Sequence, residues 1–246
     1  DLDGGFDIQH TGPDRNLLSD IIGTRNQSFR PAWIRYIVQR LLQNSDFEQR
    51  FIQRFQDLLN TTFSAGAVLT KAEKLERRLA PEIDRHVERW GGSSSLDFVS
   101  FDSKAQWLEY TDVVKTFAVS RPAIVREHLK EVFGLGMEYE LELVLPEASE
   151  GSVRVNGLPL ERSAPSWRGK YFDGASLLVE AVPASGFRFV AWADAPLEGG
   201  SRNVVVSSNQ RFEPVFSVDT DALGRDLIVH SLQEKPFVFQ SFFPDS

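Results

Sequence analysis

Two periods run along this chain, one after the other. Through residues 31–133 the apolar positions return every three or four residues, the spacing of a helix face. In "FRPAWIRYIVQRLLQ", Trp33, Ile37 and Leu41 share such a face, and Pro31 suits a first helical turn because its missing N–H has no intrahelical partner there. "NSDFEQRFIQRFQDLLN" predicts a second helix with Phe47, Phe51, Phe55 and Leu58 as one core stripe, and Ser45 with Glu48 reads as a capping box. "SAGAVLTKAEKLERRLAPEIDRHVERWG" predicts a third, aligning Val68, Ala72, Leu75 and Leu79; Pro81 should kink or break it and Gly91 should stop it. "KAQWLEYTDVVKTFAVS" and "SRPAIVREHLKEVFGLG" predict two more helices, the second with Ser120 as its N-cap, Pro122 in its first turn and Gly134 just past its end. Trp33, Phe51, Phe55, Leu75 and Trp90 are the expected core of this half.

After Gly136 the period falls to two. "YELELVL", "SVRVNG", "SLLVEAV", "FRFVAWA", "NVVVSS", "FEPVFSV", "DLIVH" and "FVFQSFF" are short alternating or β-branched runs divided by Gly, Pro, Asn and Ser. Asn156 and Gly157 form the strongest short hairpin signal. The expected fold class is therefore α+β in two domains: a helical subdomain over residues 1–135, then a small all-β module over 136–246.

Composition narrows the function classes. With 246 residues, 41% hydrophobic and 25% charged, this is ordinary globular material. The formal net charge of -8 argues against nucleic acid and anionic membranes as partners, unless a local basic patch overrides it. The absence of cysteine excludes disulfides, thiolate nucleophiles and Cys-ligated zinc. No apolar run approaches the ~20 residues of a membrane helix. No basic-then-apolar signal segment opens the chain, and it starts without Met, which reads as a trimmed piece of something longer. His10, His86, His128 and His230 are scattered, with no zinc-ligand spacing. No GxSxG motif or Gly-rich phosphate loop appears. The basic residues of "RHVERW" and "SRPAIVREHLK" alternate with Glu88 and Glu127, a pattern of structural ion pairs; Asn26 and Asn60 match the glycosylation pattern by chance.

The helical half resembles a known family. "LLQNSDFEQRFIQRFQDLLNTTFSAGAV", then "APEIDRHVERW" and "RPAIVREHL", look like the C-terminal part of the CotH (spore coat protein H-like) kinase family. The resemblance covers nearly all of residues 31–130. It implies a kinase-like C-lobe, with a nucleotide-binding lobe and a catalytic aspartate lying ahead of Asp1. It also sets Asp1 and Asp3 of "DLDGGF" in the place of the family's metal-binding aspartate, Asp1 first. Magnesium takes carboxylate, phosphate and water oxygens, so such an acid at a strand end would be central to phosphoryl transfer. A haloacid dehalogenase-type "DxDGT" nucleophile and an EF-hand loop both fit "DLDGG" poorly. A solvated chain end is the plain alternative for the acidic pair.

The β half resembles internalin-type B-repeat modules over about residues 151–216. "VRVNG", then Gly169, Tyr171, Gly174, Ala181, Pro183, Gly186, Phe187, Phe189 and Trp192, follow that pattern in order. The resemblance implies a small β-grasp-like unit on exported or surface proteins, with Tyr171, Ala181, Phe189 and Trp192 in its core. Together the two resemblances imply the tail of an exported bacterial protein acting as scaffold and interaction portion. This chain alone would hold no cofactor; magnesium and ATP belong to the full-length parent. A protein partner through the β module, an extracytoplasmic location and no membrane insertion are expected. The alternatives are a non-enzymatic surface or spore-coat binding module with a decayed kinase-like domain, and an enzyme with an unrecognised site.

Overall fold

The computed structural model describes residues 6, 12, 14–22, 32–91, 101–162, 164–195 and 199–220. Among these described residues six α-helices come first: α1 (Leu17–Ile22), α2 (Ala32–Leu41), α3 (Ser45–Asn60), α4 (Ala65–Leu79), α5 (Ile83–Trp90) and α6 (Lys104–Phe133). A short 3-10 turn, Ala80–Glu82, separates α4 from α5 and carries Pro81, as the proline predicts. Nine strands follow among the described residues: β1 (Glu138–Val144), β2 (Gly151–Val155), β3 (Leu158–Pro159), β4 (Ser166–Phe172), β5 (Ser176–Pro183), β6 (Phe187–Trp192), β7 (Ser201–Val205), β8 (Gln210–Phe212) and β9 (Pro214–Val218). They form sheets of order β4-β1-β8, β3-β2-β5-β7 and β6-β9. Helices first and sheet afterwards make the chain α+β, as its two periods imply. The runs "DLIVH" and "FVFQSFF" and the loop over 92–100 lie outside the described residues.

Several local expectations change. Residues 104–133 form one helix of about 45 Å, with Pro122 inside it. Proline removes a hydrogen bond from the turn before it. Ser120, expected as an N-cap, instead lies inside the helix and donates its hydroxyl to the carbonyl oxygens of Thr116 (3.0 Å) and Phe117 (3.4 Å). The helix ends where Gly134 adopts φ 65°, a left-handed cap that glycine enters without Cβ strain. At α3 the cap is Asn44, whose side chain accepts from the Phe47 N–H, so Ser45 stands inside the helix. The six-residue α1 was not expected. Its start is fixed by Asn16, whose Oδ1 accepts from Ser19 N and whose Nδ2 donates to Glu131 on α6.

Three of the five expected core residues face outward: Trp33, Leu75 and Trp90 are 64%, 56% and 55% exposed. On α4 the half-buried row is Ala65, Val68, Leu69, Ala72 and Glu76, and Leu75 flanks it. Glu76 in that row lies 2.6 Å from Lys115 of α6. On α2 the half-buried face is Ile34, Arg35, Val38, Gln39 and Leu42, and Gln39 donates to the Ile22 carbonyl at 2.8 Å. Phe51 and Phe55 are half-buried and pack on a core of Leu18, Leu59, Leu129 and Phe172.

The chain divides into two compact units. The first comprises Asp1–Leu141 with Arg168–Ala175 and Val206–Asn209; the second comprises Glu142–Trp167, Ser176–Val205 and Gln210–Ser246. In the second, Asn156 (φ 51°) and Gly157 (φ 75°) make the tight hairpin between β2 and β3 that their sequence signals. Its core includes Val153, Val155, Leu177, Val179 and Trp192. Trp192 packs edge-on against Phe212 and donates its indole N–H to the Gly199 carbonyl.

Candidate functional site

Asp1 and Asp3, the residues set by resemblance in a metal-binding position, lie outside the described residues. Among the described residues no group of three or more His, Asp or Glu is placed to hold a metal ion. His86 stacks on Phe101, 5.0 Å between ring centres. His10 and His230 are outside the described residues.

Two features of the first unit bring functional groups together. One is an apolar cavity of about 380 Å³ between α3 and α6. Phe51, Phe55 and Leu59 of α3 wall it on one side, and Phe117, Pro122 and Val125 of α6 on the other. Phe6, three positions after Asp3 in sequence, also lines it and meets Phe117 edge-on at 5.7 Å. Arg54 and Arg121 contribute to the lining as well. Arg121 donates to the Arg15 carbonyl at 3.0 Å, with its guanidinium 5.7 Å from the Phe117 ring centre. The cavity is sized for a small molecule, and among the described residues its lining holds no acid, base or nucleophile.

The other feature is a buried polar cluster. Gln56, Asp57 and Asn60 lie on α3 among apolar neighbours, and Gln56 and Asp57 are only 2% and 3% exposed. They meet β4, an outer strand of its sheet, whose free edge carries unpaired backbone groups. Asn60 donates to the Lys170 carbonyl (2.8 Å) and accepts from the Lys170 N–H (3.0 Å). Gln56 accepts from the Phe172 N–H at 2.6 Å. Residues four apart on a helix are separated by ~6 Å along its axis, and residues two apart on a strand by ~6.7 Å. The spacing of Gln56 and Asn60 therefore matches that of residues 170 and 172. Two amides thus cover the strand edge as a neighbouring strand would.

Arg126 of α6 completes the cluster. Its guanidinium donates to Glu138 Oε1 (2.9 Å), to the Lys170 carbonyl (3.0 Å) and to Asn60 Oδ1. The Arg126 and Glu138 side chains are 10% and 16% exposed. Tyr171, expected in the core of the β module, belongs to this cluster: its hydroxyl donates to Asp57 at 3.0 Å. Burial, and then the Asp57 charge and that hydrogen bond, push the Tyr171 phenol far above its ordinary value. Of these residues, sequence reasoning noted Arg126 as part of a structural ion-pair pattern and Asn60 only as a chance glycosylation match. The available signal was the i, i+1, i+4 row of Gln56, Asp57 and Asn60 inside an otherwise apolar helix end.

The helical part of the chain is thus tied by side chains to a strand edge, and the sheet-rich part follows it in sequence. The family model described as CotH kinase protein matches residues 1–125, and the chain belongs to that family. No curated protein and no solved structure matches the chain.

Proposed function

We propose that this chain is the scaffold and interaction portion of an exported, kinase-like CotH protein and does not transfer phosphate by itself. The observation that carries the reading is the buried polar cluster. The buried charged and amide groups of α3 and α6 are spent on holding β1 and β4, which is the work of a framework. In the full-length protein the nucleotide lobe lies ahead of Asp1, and Asp1 and Asp3 serve as ligands for the magnesium of Mg-ATP. That ion would neutralise phosphate charge during transfer. Phe6, seated against Phe117, anchors the chain just after the acidic pair. The B-repeat-like module would then meet a protein partner outside the cell. The exposed Val205 on β7, the outer strand of its sheet, supports that role.

Calorimetric titration of the 246-residue chain with Mg-ATP tests the reading. The expected result is no saturable heat, with binding and radiolabel transfer restored in a protein extended upstream of Asp1. In that longer protein, Asp1→Ala should abolish transfer and leave the melting temperature nearly unchanged. Tight nucleotide binding by the 246-residue chain would overturn the scaffold reading, and full activity of the Asp1→Ala variant would overturn the metal assignment.

A further inference from the structure

A framework gains nothing from a cavity, because unfilled space in a core costs stability. The one between α3 and α6 nevertheless measures about 380 Å³, within the range of small-molecule sites. Phe51, Phe55 and Phe117 give it aromatic walls, which offer water almost no hydrogen bonds, so an apolar guest fills it better than solvent does. It is reached from outside: two rings of its lining, Phe6 and Phe63, are 41% and 50% exposed. Phe6 holds its ring there from a left-handed backbone (φ 56°), a strained state that recurs at ligand clamps and other functional sites.

The lining selects the chemistry of a guest. A sugar or a nucleotide would leave its polar groups without partners against these walls, and that desolvation cost disfavours both. Charge enters only through Arg54 of α3 and Arg121 of α6, and no Asp or Glu stands among the described lining residues. Arg54 lines the cavity and is also exposed, so its aliphatic stem forms wall while its guanidinium sits at the rim. No described acid pairs with it. Arg121 is held by the Arg15 carbonyl and adds positive charge on the opposite wall. An apolar space with a cationic rim suits a molecule with an apolar body and one anionic end, since guanidinium and carboxylate form strong charge-assisted hydrogen bonds. A space of this size takes a single chain of medium length, not the paired long tails of a membrane lipid.

We propose that the cavity between α3 and α6 is a binding site for a medium-chain carboxylate. The alkyl chain lies among Phe51, Phe55 and Phe117, the carboxylate rests at the rim on Arg54, and Phe6 closes the mouth over the chain. The site is independent of phosphate transfer, so it stands or falls apart from the scaffold reading.

The test is calorimetric titration of the full chain with decanoate, octanoate, decanol and decyltrimethylammonium, each below its micelle concentration. Decanoate should bind saturably at a single site and roughly fifteenfold tighter than octanoate, at about fourfold for each methylene. Decanol should bind about three- to fivefold more weakly than decanoate, the worth of one partly solvated ion pair, and the cationic decyltrimethylammonium more weakly still. Arg54→Ala should weaken decanoate by the same factor and leave decanol unchanged. Val125→Phe, which puts a ring into the space, should remove binding of decanoate and decanol alike with unchanged circular dichroism. Arg154→Ala, on β2 of the second unit, should change nothing. The proposal fails if decanoate gives no saturable heat, if decanol or the ammonium binds as tightly as decanoate, or if Arg54→Ala binds decanoate like the unaltered chain. It also fails if a folded Val125→Phe variant keeps full affinity; should that variant not fold, Arg54→Ala, at an exposed position, decides alone.

Discussion

Replacing Arg126 with methionine tests the polar cluster directly. Methionine keeps the aliphatic stem and removes the guanidinium, so lost packing is a small part of the effect. Three acceptors lose a donor. Asn60 Oδ1 keeps the Lys170 N–H and the Lys170 carbonyl keeps the Asn60 amide, so each retains one partner. Glu138 fares worse: its side chain is 16% exposed and loses its charged partner. Removing one member of a buried ion pair costs about 3–5 kcal/mol. Because Glu138 is not wholly enclosed, the lower end, about 3 kcal/mol, is the expected figure. Domain stabilities are only ~5–15 kcal/mol, so the loss is readily measured by urea unfolding followed in the far-ultraviolet. Pairing Arg126→Met with Glu138→Gln removes the stranded charge. The double variant should therefore be less destabilised than the sum of the single ones, by about 1–3 kcal/mol. A cost under about 1 kcal/mol for Arg126→Met, or strict additivity, would show that the cluster is not holding α6 to β1 and β4.

Tyr171→Phe should destabilise the chain by about 1–3 kcal/mol, the price of leaving buried Asp57 without that donor, and chemical denaturation at neutral pH would show it. The same residue sets a pH limit. Its folded-state value is raised, so its contribution is complete below about pH 10, the ordinary tyrosine value, and is lost as pH rises above that; thermal melts across the alkaline range should show a decline that Tyr171→Phe reduces. Gly134→Ala should cost about 1 kcal/mol by thermal melt. Apart from the adjoining residues, no described atom lies within 4 Å of the added Cβ, so the cost is backbone strain at φ 65°, and no loss at all would refute that assignment.

Legibility from sequence differed with the kind of signal. Period alone separated helix from strand, because a 3.6-residue and a 2-residue repeat cannot be satisfied by one backbone. The break at Pro81, the stop at Gly134 and the hairpin at Asn156 and Gly157 were legible because each rests on one residue's own dihedral limits. Burial was less so. In α2 the ring of apolar residues is nearly complete, and a wheel can show that Trp33, Ile37 and Leu41 share a face without showing which face has a neighbour. Pro122 misled for a related reason. A missing N–H suits a helix start, but packing can carry a helix past a proline, and α6 runs on through Pro122 along α4.

The polar cluster was the least legible part, for a physical reason. Gln56 and Asn60 satisfy backbone groups more than a hundred positions away, and no local rule connects a helix amide to a strand edge. A solvated helix surface would carry the same residues. What distinguishes them is their setting. Phe51, Phe55, Leu58 and Leu59 make that end of α3 an inward surface, and a polar side chain turned inward must find a partner or carry a desolvation cost. The partner has to be fixed and repeated at the helix spacing, and a strand edge supplies both. The helical half therefore completes itself with 168–175, a stretch from the part of the sequence with strand period, so the change of period marks a change of secondary structure and not the limit of the first compact unit.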